Sequence, residues 1–144
     1  MSRKDPFDRL VDTILGGSGH RPVWGQHQPR TGRGFDDRRF RKALRAHWGA
    51  EADPMRVSLA VQDAAFVAGV VQTVSEQLRL NADDRRRVAV GMVRRRLLGE
   101  LDPTLDAVDA AWRAWWPPPP GDDGRALLAQ FLDAWRVWLS GSTQ

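Results

Sequence analysis

A chain of 144 residues with a net charge of +4 and no cysteine excludes disulfides, thiolate metal sites and cysteine nucleophiles, and is long enough to build one core unaided. The lack of cysteine suits a reducing compartment, so a cytoplasmic location is expected. Charge is uneven along the chain: residues 1–100 carry nineteen Lys/Arg against twelve Asp/Glu, while residues 101–144 carry three against six and hold five of the seven tryptophans.

Phe7, Leu10, Val11 and Leu15 recur at helical spacing and predict a short amphipathic helix over 5–15, stopped by Gly16-Gly17. Charges scattered through this segment leave no apolar run of the kind a secretory signal needs. Residues 16–34 combine six Gly, two Pro and three Arg, with Val23 and Trp24 as the large apolar residues, and are expected to form a flexible basic arm. Asp36 or Asp37 then caps a helix that runs to about Trp48 before Gly49. Phe40, Leu44 and Trp48 share one face of it, and Arg38, Arg41, Lys42 and Arg45 gather on the other.

Asp53-Pro54 starts a long helix to Leu80 whose middle, AAFVAGVVQTV, is apolar nearly all round, the pattern of a central buried helix. Its charge-free stretch, Ala64 to Ser75, has twelve residues, against about twenty needed to cross a bilayer, so no membrane span is expected. Asn81 opens a further helix through Leu98, ended by Gly99. Plotted as an α-helix, Ala89, Val90, Val93 and Leu97 share a sector, Arg85, Arg87, Arg94, Arg95 and Arg96 take the opposite half, and Arg86 alone turns toward the apolar side.

Asp102-Pro103 repeats the cap-and-proline start, and Leu105, Val108, Trp112 and Trp115 or Trp116 make the next helical face, which Pro117–Pro120 end as a rigid corner. Asp122 or Asp123 caps the last helix, in which Leu128, Phe131, Leu132, Trp135, Trp138 and Leu139 recur at three and four. No segment alternates with the period of a strand. The expected fold is all-α: a single bundle of about five main helices over 35–144, preceded in 1–34 by a short helix and the Gly/Arg-rich arm.

Residue patterns that name a reaction are missing. His20, His27 and His47 lack neighbouring Cys or an HExxH spacing, and the Asp pairs at 36–37, 83–84 and 122–123 sit at helix starts, where carboxylates cap. The glycines form no phosphate loop, and no Ser lies in a Gly-x-Ser-x-Gly setting. A non-enzymatic protein without metal or cofactor is expected.

Twenty of the twenty-two basic residues are Arg, a bias that a GC-rich genome produces by itself, so their placement matters more than their number. The arm (Arg21, Arg30, Arg33), the stripe Arg38/Arg41/Lys42/Arg45 and the face Arg85/Arg87/Arg94/Arg95/Arg96 suit RNA or DNA phosphates bound without sequence specificity. An acidic protein partner met by the same Arg surfaces is the alternative. Adjacent Trp115 and Trp116 cannot both face inward on one helix, so one of them, with Trp24, is a candidate contact for neighbouring subunits, further copies of the chain included.

Three segments, KALR (Lys42–Arg45), VRRRLLGELDPTLD (Val93–Asp106) and FLDAWRVWL (Phe131–Leu139), in that order around an apolar helix, resemble the helical small subunit of multisubunit CRISPR effector complexes over roughly residues 36–140. The resemblance implies a non-catalytic bundle that stacks as copies along a crRNA-bound backbone, with Arg41, Lys42, Arg45 and Arg94–Arg96 near nucleic acid. The proline run and the N-terminal arm fall outside it.

Overall fold

The computed structural model describes residues 5–16 and 37–141. Within them the chain is all-α, without strands: α1 (Pro6–Gly16), α2 (Asp37–Trp48), α3 (Pro54–Gln77), α4 (Ala82–Met92), α5 (Asp106–Trp115) and α6 (Gly121–Gly141). A π-helical turn, Val93–Leu97, continues α4, and a 3-10 turn, Pro103–Leu105, leads into α5.

Side-chain caps set four of the starts, the first being that of α1, where the Asp5 carboxylate accepts from Phe7 N at 2.9 Å. The Asp53 carboxylate accepts from Met55 N at 3.1 Å, Asn81 Oδ1 from Asp84 N at 2.8 Å and the Asp102 carboxylate from Thr104 N at 3.1 Å. Pro6, Pro54 and Pro103 follow three of these caps, where a missing N–H costs nothing. Gly49 closes α2 at φ 102° and Gly99 closes the π-helical turn at φ 70°, backbone angles that a Cβ disfavours.

Helix α3 is the axis of the molecule. It touches α1, α2, α4, the π-helical turn and α6, and buries Val57, Val61, Val67, Val70, Val71 and Val74 together with Ala60, Ala64 and Ala68. Valine is a weak helix former, so burial against five neighbours rather than intrinsic propensity holds this helix. By length and composition α3 would also cross a membrane, but 61% of its most apolar window is enclosed by the rest of the bundle.

Two layers result. Helices α1, α2 and α4 pack around α3 through Leu10, Val11, Ile14, Phe40, Leu44, Val88 and Ala89. Helices α5 and α6 form an antiparallel hairpin with an aromatic interior, in which Phe131 stacks on Trp115 (centroids 5.0 Å apart) and meets Trp112 at 6.0 Å and Trp135 at 6.4 Å. Such pairs contribute about 0.5–1.5 kcal/mol each beyond the area they bury.

One expected contact residue belongs to this interior. Trp115 is 4% exposed and is not available to a partner. Its neighbour escapes the rule for adjacent helical positions because α5 ends at Trp115, leaving Trp116 extended (φ −101°, ψ 131°). Trp116 then lies half-buried, stacked on Trp112 at 5.5 Å and against Phe66 at 5.2 Å, so both tryptophans serve packing.

Candidate functional site

The basic residues separate into two populations. On α2 the apolar face, Phe40, Ala43 and Leu44, is buried, which turns Arg38, Lys42 and Arg45 fully outward and leaves Arg41 half-exposed. No ion pair among the described residues holds any of these four. At the end of the same helix the Arg56 guanidinium lies 3.9 Å from the Trp48 ring centre, adding a further exposed cation.

The arginines of α4 and the π-helical turn behave differently. Arg85 Nη2 donates to the Leu15 carbonyl at 3.4 Å, Arg86 binds Asp12 at 2.9 Å and Asp8 at 3.1 Å, and Arg87 pairs with Asp84 at 3.2 Å. The hydrogen bond to Asp12 is the first reason that the Arg86 guanidinium is held above its ordinary pKa, with burial opposing it. Arg86 therefore clamps α1 to α4, as its inward position on the sequence plot suggested.

Arg95 and Arg96 depart from the outward face expected of them. Arg95 Nη2 lies 2.9 Å from Asp106 and 3.7 Å from Asp109, and Arg96 Nη1 lies 3.0 Å from Asp109. Arg113 completes the cluster at 3.2 Å from the same carboxylate, whose side chain is only 7% exposed. The cause is local: a π-helical turn advances each residue by less than the 100° of an α-helix, so Arg95 and Arg96 are swung toward α5. Arg94 alone stays open, 54% exposed, 5.0 Å from the Phe7 ring centre and 3.9 Å from Glu100.

A groove lies along α4 where α6 approaches it. It encloses about 430 Å³ and is lined by Asp83, Arg86, Arg87, Val90, Gly91, Arg94, Asp102 and Trp138. Arg87 stands 5.4 Å from the Trp138 ring centre, and Trp138 Nε1 donates to Thr104 Oγ1 at 3.3 Å. Gly91 lines the groove, and a Cβ there would lie 3.3 Å from Leu105 Cδ1 and 3.8 Å from the Trp138 ring. Sequence reading missed both this groove and the role of Asp109, since Trp138 reads as core and Asp109 as one of two acids on α5. The Asp109–Arg113 spacing of four was the one local signal.

Arg21, Arg30, Arg33 and Trp24 lie outside the described residues. Among those described, no group of three or more His, Asp or Glu is placed to hold a metal ion.

Among the described residues, fold and surface define an all-α helical bundle with an exposed basic helix and an Arg/Trp groove. No protein-family model, curated protein or solved structure matches the chain.

Proposed function

We propose that this chain is a non-enzymatic, nucleic-acid-associated helical subunit of a larger assembly, binding the phosphate backbone of RNA or DNA without reading its sequence. The observation that carries the reading is the α2 stripe: Arg38, Arg41, Lys42 and Arg45 share one helix face and, among the described residues, have no acidic partner. A row of cations along one face meets successive phosphates and releases their counterions. The Arg94–Arg96 run contributes less than its charge suggests, because Arg95 and Arg96 are held by Asp106 and Asp109. On the resemblance to CRISPR small subunits, copies of the chain would stack along a nucleic-acid-bearing backbone, with α2 turned toward it.

The test is binding of unrelated RNA and DNA oligonucleotides at about 50 mM salt, with affinity falling steeply as salt rises. Replacing Arg38, Lys42 and Arg45 together by Glu is expected to abolish binding while leaving the helical circular dichroism unchanged. An absence of binding by the wild-type chain overturns the reading.

A second reading, a protein-interaction module with an acidic partner, is favoured by Met55 and Leu59, which are exposed one turn apart on α3 on either side of Arg56. Co-purification of one protein that survives nuclease treatment, with no nucleic acid in the preparation, supports it over the first.

A further inference from the structure

The α2 stripe accounts for backbone contact, but the groove between α4 and α6 has a different chemistry. Its walls bring together guanidiniums and an indole, the pair of groups that sandwiches a planar aromatic ring and its phosphates. At about 430 Å³ it falls within the roughly 300–1,000 Å³ of small-ligand sites.

Its charged groups are not equally free. Arg86 is anchored to Asp8 and Asp12, and the Asp102 carboxylate is occupied in accepting from Thr104 N and Oγ1. Arg87 and Arg94 are each held by a single carboxylate, one within its own helix at 3.2 Å and the other only loosely at 3.9 Å.

One guanidinium covers the Trp138 face, and only loosely. The tightest guanidinium–indole contact among the described residues, Arg56 on Trp48, has 3.9 Å to the ring centre, against 5.5 Å for Arg96 on Trp112. Arg87 stands over the Trp138 ring at 5.4 Å from its centre, within cation–π range but wider than the Arg56 contact, so a ring entering between the two has to displace this guanidinium. Trp138 is meanwhile fixed in orientation by its hydrogen bond to Thr104 and its edge contact with Trp135 at 5.4 Å, so the platform is preorganised.

We infer that this groove takes one unpaired nucleotide of a single strand, its base stacked between Trp138 and Arg87 and its flanking phosphates met by Arg87 and Arg94. The inference rests on the nucleic-acid reading above and adds a preference for unpaired bases, because a base held in a duplex has no free face to offer.

The experiment compares a short oligothymidylate with an abasic strand of equal length and charge, by fluorescence anisotropy at about 50 mM salt. The wild-type chain is expected to bind the base-bearing strand more tightly. Trp138→Leu is expected to lower that affinity about ten-fold and to leave the abasic strand nearly unchanged, and Trp138→Phe to retain most of it. Arg87→Gln, a groove-rim substitution outside the core, checks the same site should Trp138→Leu not fold, and is expected to weaken the base-bearing strand more than the abasic one. If the wild-type chain binds both strands equally, or these variants affect both alike, the groove assignment is overturned while the α2 reading stands. If the wild-type chain binds neither strand, both are overturned.

Discussion

Arg96 Nη1 lies 3.0 Å from Asp109 Oδ1, and this pair ties the π-helical turn to α5 across a carboxylate that Arg95 and Arg113 also share. Removing the carboxylate leaves three guanidiniums facing one another at the joint between the two layers. The arginines reach water, which limits the penalty, but Asp109 itself is buried. Asp109→Ala is expected to cost about 2–3 kcal/mol in urea unfolding, against less than about 1 kcal/mol for Asp106→Ala, whose carboxylate is largely exposed. Equal losses at the two positions would show that burial of Asp109 adds nothing to its pairs.

Arg96 also acts on a second carboxyl. Desolvation raises the Asp63 pKa above its ordinary 3.8, and attraction to Arg96 opposes the rise. The folded chain therefore binds this proton more tightly than the unfolded chain, and ionised Asp63 destabilises the fold by a small amount, because the residue is exposed and water screens its charge. That penalty is complete above the folded pKa and is relieved as pH falls from there toward 3.8. Asp63→Asn is expected to raise the melting temperature at pH 7 and to lose that advantage as the pH approaches the ordinary carboxyl value. A gain of the same size at both pH values would mean that ionisation of Asp63 is not its source.

Gly124 sits in the first turn of α6, where a Cβ would overlap the Pro119 carbonyl oxygen. Backbone cannot rotate aside as a side chain can, so the proline corner and the helix must separate. Gly124→Ala is expected to lower stability by about 1–3 kcal/mol. Gly141→Ala, with nothing within 4 Å of its Cβ, is expected to be neutral or slightly stabilising. Matching melting temperatures for the two variants would show that the corner yields freely.

Helix ends are legible in this chain because their signals are local. Asp53, Asn81 and Asp102 announce themselves as caps, and Gly49 and Gly99 as stops, within a turn of the backbone groups they satisfy. The burial of α3 is legible for the same reason, since its apolar run has no polar face to offer. The fate of the arginines is not local. Arg86 finds Asp8 across 78 positions and Arg96 finds Asp109 across 13, through packing that no periodicity encodes. The π-helical turn compounds this, because a 100° plot assumes the geometry that the Arg94–Arg96 run leaves. Trp138 reads as core by spacing, yet the end of α6 leaves it half-buried at the rim of the groove.

The two populations of arginine make opposite predictions, and salt separates them. Each α2 cation that meets a phosphate adds about 0.7–0.9 to the slope of log K against log salt, the lower figure applying to single strands. Replacing Arg38, Lys42 and Arg45 by Gln is expected to flatten that slope by about 2–3 with little effect on unfolding, because these side chains hold no ion pair among the described residues. Arg95→Gln with Arg96→Gln removes two formal charges but releases Asp106 and Asp109, so stability falls while the slope changes by less than about 1. A slope that depends on Arg95 and Arg96 as strongly as on α2 would mean that nucleic acid draws these arginines away from α5, with the hairpin of α5 and α6 loosened on binding.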